Sequence, residues 1–475
     1  MPDLSAAGNC SKNSWEGADI ASSVTFAKEP PAALTRARKY CSRGLPWVGK
    51  GSLALLDQGL ISGSNFLIGI LLARWLVPEQ YGAYALAFSV FLFAAGFHGA
   101  LLLEPMSVFG PAAYSKCLPA YLGKLLGLHS ALVLLLAALV GAGVVVLRYS
   151  TLGRGLAAPL WGVCIATPSI LFFWLCRRAA YVKLAPSLAA KGASAYCLVL
   201  ISLLLAAKTL GWLSGFAAFL IQAVAATAAG ALLLVFLQPR FVSQSGPSGS
   251  EVARRHWRYG RWAMGTQFVY WLSGNAYYVI VAGFVRMDDV AALRALQNFS
   301  LPFIQCVIAL SLLVLPWASA KFAQEGRQGF ERRIRQITLL FLGGASVYFA
   351  ILCLFGGRIM AILYAGRYTH FAYLLPLVAA PVLVLAASQG STLAMQAMQV
   401  PSEIFFAYTL AGVTTLGAGI PLTRCWGLPG AAVGILISYL TFFVTISHRC
   451  RVRLREPLAI ADEARRGEEL GIEIL

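Results

Sequence analysis

QPRFVSQSGPSGSEVARRHWRYG, residues Gln238 to Gly260, is the longest polar stretch between the two ends of this chain. It is basic and carries glycine and serine. Six long apolar runs precede it and six follow. Their approximate limits are 52–76, 82–103, 119–147, 156–175, 190–207, 212–237, 262–285, 293–320, 337–356, 370–390, 403–423 and 427–447. Most approach or exceed the ~20 residues that a helix needs to cross roughly 30 Å of hydrocarbon. The expected fold is therefore an all-α polytopic membrane protein with about 12 transmembrane helices in two six-helix bundles. The expected domain plan is a mobile cytoplasmic tail (1–51), a first bundle (52–237), a basic cytoplasmic linker (238–260), a second bundle (261–447) and a charged cytoplasmic tail (448–475).

Composition agrees. The 475 residues are 59% hydrophobic and 12% charged, with mean hydropathy +0.72, a surface that water would not tolerate. The net charge of +19 is a matter of position. With the N-terminus inside, 25 Lys and Arg fall on inward flanks and nine on outward ones. The outward group includes Arg74, Arg286, Arg294, Arg367 and Arg424. The positive-inside rule then puts both termini in the cytoplasm and requires an even number of spans. The basic excess reads as topology and contact with anionic membrane lipids, not nucleic acid.

Ten cysteines without a C-x-x-C pair give no metal or disulfide framework. No cofactor is expected. The first 50 residues lack the apolar core of a signal peptide. Gly44 to Gly51 (GLPWVGKG) nearly spells a phosphate-binding loop, but Gly51 stands where Ser or Thr must reach magnesium, and no strand precedes it. Asp288-Asp289 is an acidic pair on a short outward loop, whereas membrane glycosyltransferases with such pairs usually carry a large external domain. The chain therefore does not read as an enzyme.

Internal echoes support a duplicated unit. Ser62 to Asn65 (SGSN) is matched by Ser273 to Asn275 (SGN). Gly211 to Gly215 (GWLSG) is matched by Trp426 to Gly430 (WGLPG), and the turn at Pro78 to Gly82 falls about 210 residues before that at Asp288 to Ala292. Six is even, so both units run the same way, a parallel repeat.

From Leu53 the chain reads LALLDQGLISGSNFLIGILLARWLVPEQYGAYALAFSV. An apolar helix ending in Ala73-Arg74, then Pro-Glu-x-Tyr-Gly, then a second helix resembles the start of the polysaccharide transporter branch of the multidrug/oligosaccharidyl-lipid/polysaccharide (MOP) exporter superfamily. This branch holds the O-antigen and exopolysaccharide flippases. Ile362 to Tyr368 (ILYAGRY) and Gly427 to Ala432 (GLPGAA) resemble two further family segments, and the likeness covers roughly residues 52–450. Ala365 departs from the family's usual glycine, and the N-terminal tail is unusually long. The resemblance implies movement of a polyprenyl-pyrophosphate-linked oligosaccharide from inner to outer leaflet by alternating access of two bundles. It also implies a bacterial inner membrane and a pathway shared with a polysaccharide polymerase and glycosyltransferases. Drug-exporting relatives imply cation antiport instead.

A sugar pyrophosphate cannot cross hydrocarbon unaided, so a flippase needs a polar, cationic interior. Three helix stripes offer one. The first holds Gln58, Ser62, Asn65 and Gly69 and runs toward Arg74. The second holds Arg294, Asn298, Leu301 and Gln305, with Pro302 as an expected kink. The third holds Gln267, Trp271, Gly274 and Tyr278. Arg74, Arg294 and Arg286 are the candidates for pyrophosphate. Asn65, Gln267, Asn298 and Gln305 are those for glycan hydroxyls, and Trp271 is the stacking surface. Each also has a packing explanation: small residues at helix interfaces, snorkelling arginines and interfacial aromatics. Asp57 and Glu104 are candidates for gating or ion coupling. His98 and His129 read as interior, hydrogen-bonded histidines.

Overall fold

A computed structural model describes residues 33–147, 149, 153–241, 246–398 and 400–455. Residues 1–32 and 456–475, from the expected tails, residues 242–245, from the linker, and Gln399 and Arg148 lie outside the described residues. The side chains of 33–51, Arg154, Lys321 and Arg327 do too. Among the described residues the chain is all helical.

In the first part, α1 (Ala33–Trp75), α2 (Pro78–His98) with a π-helical continuation Gly99–Leu103, and α3 (Glu104–Ala112) lead to α4 (Leu118–Leu147). Then come α5 (Gly153–Val182), α6 (Pro186–Thr209) and α7 (Gly215–Leu237). The segment resembling a phosphate-binding loop falls inside α1, so it is helix and not a strand-to-helix loop. The nearly continuous apolar run over 190–237 is cut by Gly211 at φ +74, and Ser214 caps α7 by accepting from the Ala217 amide at 3.1 Å.

The second part holds α8 (Gly249–Gly274), α9 (Ala276–Phe284), α10 (Met287–Asn298), α11 (Leu301–Tyr364), α12 (Leu375–Ala397), α13 (Pro401–Thr414) and α14 (Ile420–Arg455). Helix α11 doubles back on itself. Phe303 and Tyr348, 45 residues apart, would be separated by roughly 68 Å on a straight helix, yet their rings stack at 5.6 Å. Phe322 and Phe330 meet at 5.3 Å near the reversal. Helix α14 reverses at Gly427 (φ 60, ψ −137). Thr415 and Ser438 hydroxyls then face each other at 2.9 Å, and Gly430 lies against the Leu422 carbonyl. A side chain at Gly427 would strain that reversal.

Among the described residues, nine helices are long and apolar enough to cross a membrane, or ten with the bent pair Met287–Asn298 and Leu301–Ser311. That count takes Pro401–Arg455 as one, although it reverses at Gly427. It omits the expected span 262–285, where α8 stops at Gly274 and α9 is only nine residues long. With both added, the helices account for the twelve spans. Leu134, Val146, Leu198, Leu354 and Ile362 are each at least 65% exposed, which suits hydrocarbon and not water.

Packing gathers the residues into two compact units. One takes Ala94–Gly153, Ala157–Met264 and the described chain up to Ser64; the other takes Asn65–Phe93, Arg154–Leu156 and the chain from Gly265 on. The last eleven residues of α1 and most of α2 thus pack in the second unit. Close approach explains this. Gly69 lies on the Asn298 side chain, and a Cβ at Gly82 would collide with the Met287 carbonyl oxygen. The Tyr81-Gly82 pair of this turn is therefore a packing requirement, with Tyr81 fully buried.

Ala365, the departure from the family's glycine, closes α11 in a left-handed conformation (φ 52). Left-handed backbone costs a side-chain-bearing residue about 1–2 kcal/mol, and glycine gives back about 0.4–1 kcal/mol in the unfolded chain. Ala365→Gly is expected to raise stability by up to about 1 kcal/mol, read as a higher midpoint of thermal unfolding in detergent.

Candidate functional site

The polar residues of the second unit converge on α10. Arg286 to Asp289 start this helix, and Val290, Leu293 and Leu296 bury one face. Arg294 points from the middle of α10 into a set of aromatic side chains. Its guanidinium carbon lies 5.1 Å from the Phe88 ring centroid and 5.9 Å from that of Tyr278. Nη1 donates to the Tyr278 hydroxyl at 3.2 Å, and that hydroxyl donates to Gln297 Oε1. One turn on, Asn298 is 1% exposed; its amide donates to the Tyr81 hydroxyl at 3.0 Å and the Tyr364 hydroxyl at 3.4 Å. The Asn298 carbonyl oxygen and the Tyr368 hydroxyl, both buried, have no hydrogen-bond partner among the described residues.

No carboxylate pairs with Arg294 among the described residues. It is held by ring faces and hydroxyls, which attract a cation without neutralising it. Such an arginine keeps its positive field and the rest of its donor fork for an anion. The unsatisfied Asn298 oxygen adds an acceptor one turn away.

Arg294 and Asn298 thus share a face, as their spacing predicts. Leu301 and Gln305 do not continue it, because the chain bends by 46° between α10 and the next helix. Pro302, in the first turn of α11, lacks the N–H that would carry the ladder across. The third stripe breaks too. Helix α8 ends at Gly274, and Asn275 separates Gln267 and Trp271 from Tyr278. Trp271 uses its indole N–H on the Ser89 carbonyl at 2.8 Å and meets the Phe93 ring at 5.0 Å. Gln267 and Gln305 are half-buried and have partners of their own.

Arg74 is exposed and reaches the Ile362 carbonyl at 3.5 Å. Arg286 is 79% exposed and pairs with Asp288 at 3.4 Å. Asn65 is half-buried on α1. Tyr81, Tyr84 and Tyr364 are the residues of this cluster that sequence reasoning missed; the spacing of Tyr278 puts it in the third stripe and not beside Arg294, where it lies. Tyrosines near helix ends look like interfacial belts, and only the packing of α2 against α10 separates these from such a belt.

In the first unit Asp57 is fully buried and fully satisfied. Arg177 grips it with Nε at 2.8 and 2.9 Å and Nη2 at 2.6 Å, and the Tyr181 hydroxyl donates at 2.5 Å. Glu104 is half-buried and acts electrostatically on Arg178. Glu403, in the second unit, is the other buried acid among the described residues, and Arg453 and Arg449 pair with it at 2.8 and 3.5 Å. No group of three or more His, Cys, Asp or Glu that could hold a metal occurs among the described residues.

No family model matches the sequence, and no curated protein does. Solved structures do. An inward-facing multidrug resistance MATE family transporter of the MOP superfamily superposes with a TM-score of 0.74 at 13% identity, covering 84% of this chain and 98% of that one. The chain has the MATE transporter fold. An outward-facing multidrug resistance MATE transporter matches with a TM-score of 0.62 at 14% identity, over 86% of this chain and 94% of that one. A MOP superfamily transporter from Pyrococcus furiosus matches with a TM-score of 0.61 at 12% identity, over 86% and 96%; its description reports a binding pocket of reversed polarity that suggests a different function. The MATE fold, with its two repeated bundles, together with the long apolar helices makes this chain a polytopic membrane protein.

Proposed function

We propose that this protein is a flippase that moves a polyprenyl-pyrophosphate-linked oligosaccharide from the inner to the outer leaflet of a bacterial inner membrane. Both termini are cytoplasmic in this reading, and the substrate is handed on to a polysaccharide polymerase. The observation that carries it is Arg294, a part-buried cation among Phe88, Tyr278 and neighbouring tyrosines, with no carboxylate partner among the described residues. A pyrophosphate supplies the missing negative charge, and the rest of the Arg294 donor fork binds its oxygens.

The second reading is a cation-coupled multidrug exporter, which the descriptions of two matched MATE structures favour. An exporter of cations calls for an available acid inside the bundle. The buried acids among the described residues, Asp57 and Glu403, are each gripped by arginine.

Binding separates the two. A fluorescent short-chain polyprenyl-pyrophosphate disaccharide is expected to bind wild-type protein in nanodiscs and to bind Arg294→Gln about 10–100-fold more weakly, the worth of one charge-assisted hydrogen bond. Ethidium should bind weakly and indifferently to the substitution. Tight ethidium binding with none of the pyrophosphate lipid would favour the drug exporter.

A further inference from the structure

The start of α8 carries a basic face that the proposed substrate site does not use. Residues 249–262 read GSEVARRHWRYGRW, four arginines against one glutamate, a net charge of +3. Val252, His256 and Gly260 recur every four residues on one side of this helix, and all three are buried. His256 Nδ1 donates to the Leu101 carbonyl at 2.9 Å, and its Nε2 meets the Tyr121 hydroxyl at 2.9 Å. A Cβ at Gly260 would lie 2.8 Å from the Ala100 carbonyl oxygen. Glu251 accepts from the Tyr114 hydroxyl at 3.3 Å and pairs with Arg255 at 3.3 Å. These contacts, all within the first unit, hold the helix against the π-helical turn Gly99–Leu103 and the start of α4.

The opposite side is open. Arg254, Arg258 and Arg261, at spacings of four and three, form one exposed stripe about 10 Å long. Arg254 and Arg258 have no hydrogen-bond or ion-pair partner among the described residues. Arg261 rests on the Trp262 ring at 5.5 Å. Trp257 and Trp262, 55% and 75% exposed, lie to either side of the stripe. Nothing in the packing of the first unit calls for these five side chains.

Their chemistry and their place name an occupant. The helix runs on into the expected span 262–285, so the face lies where the chain enters hydrocarbon. Indole rings favour that depth, level with lipid headgroups. Each arginine near an anionic leaflet strengthens binding about fivefold. An acidic soluble protein would answer the charge but gives no account of two indoles beside a membrane span. Three separated guanidinium groups suit several singly charged headgroups better than one pyrophosphate.

We infer that Arg254, Arg258 and Arg261, with Trp257 and Trp262, form a docking face for anionic phospholipid headgroups. The inference does not depend on which substrate is carried. Full-length protein is titrated in native mass spectrometry with phosphatidylglycerol and with phosphatidylcholine of the same chains. Wild type should prefer phosphatidylglycerol by about 100-fold, three arginines at about fivefold each. Arg254→Gln, Arg258→Gln and Arg261→Gln combined should lose that preference and bind phosphatidylcholine as wild type does. The three side chains are exposed, and size exclusion checks that the variant is folded. Lys208→Gln, Arg358→Gln and Arg424→Gln combined, which removes three exposed cations of the expected outward flanks, should keep it. Equal binding of the two lipids by wild type, or equal loss in both triple variants, overturns the site. A polyprenyl pyrophosphate that binds more tightly than phosphatidylglycerol, and is lost with the same three arginines, also overturns it and makes the face a capture site for transported lipid. Loss of the phospholipid preference leaves the role of Arg294 untouched.

Discussion

Arg294→Gln reduces outward movement of a pyrophosphate-linked oligosaccharide by about 100-fold or more while the protein remains folded in the membrane. Glutamine keeps some donor capacity but loses the charge and the planar fork. Among the described residues the guanidinium makes one hydrogen bond, to Tyr278, and it rests on the Phe88 and Tyr278 rings. Its removal therefore breaks little structure. What it removes is the attraction for an anion in a poorly screened site, where two charge-assisted hydrogen bonds amount to about 3–6 kcal/mol. Lysine at this position should restore part of the activity, since it returns the charge without the fork. Arg74→Gln and Arg286→Gln should do less: the first side chain is exposed, and the second is 79% exposed and paired with Asp288. Export in cells and folded yield by size exclusion check these outcomes together.

Asp57→Leu has the largest expected effect on stability. The carboxylate is fully buried, and Arg177, itself only 17% exposed, makes three of its contacts. Removing the acid leaves a guanidinium and the Tyr181 hydroxyl without their acceptor. Breaking one side of a buried pair costs about 3–5 kcal/mol, whereas replacing both sides with apolar residues is often neutral. Asp57→Leu should unfold well below the wild-type temperature, and Asp57→Leu with Arg177→Met should recover most of the loss. If the double variant also exports, Asp57 holds α1 to α5 and does not move an ion. Export lost despite recovered stability would return Asp57 to the coupling role its sequence position suggests.

The spans were legible because bilayer thickness writes itself directly into apolar run length. So was Pro302 as a break, since it acts through local backbone chemistry. The break at Asn275 was not, because SGN reads equally well as helix interior in a membrane protein. Sequence spacing joined Arg294 to Asn298 correctly and then overran the bend at Pro302. Partnerships across the chain were invisible: Arg177 lies 120 residues from Asp57, and Tyr81 lies 217 from Asn298. No periodicity encodes such distances. His129 looked like any packed histidine until its ring nitrogen was seen 3.0 Å from that of His98.

The most direct measurement is leaflet accessibility in proteoliposomes that carry a tagged polyprenyl-pyrophosphate oligosaccharide. With wild-type protein, tag first shielded in the inner leaflet should become reachable by a membrane-impermeant quencher or lectin, and with Arg294→Gln it should stay shielded. Tag that stays shielded with folded wild-type protein, or moves equally fast with Arg294→Gln, contradicts the account.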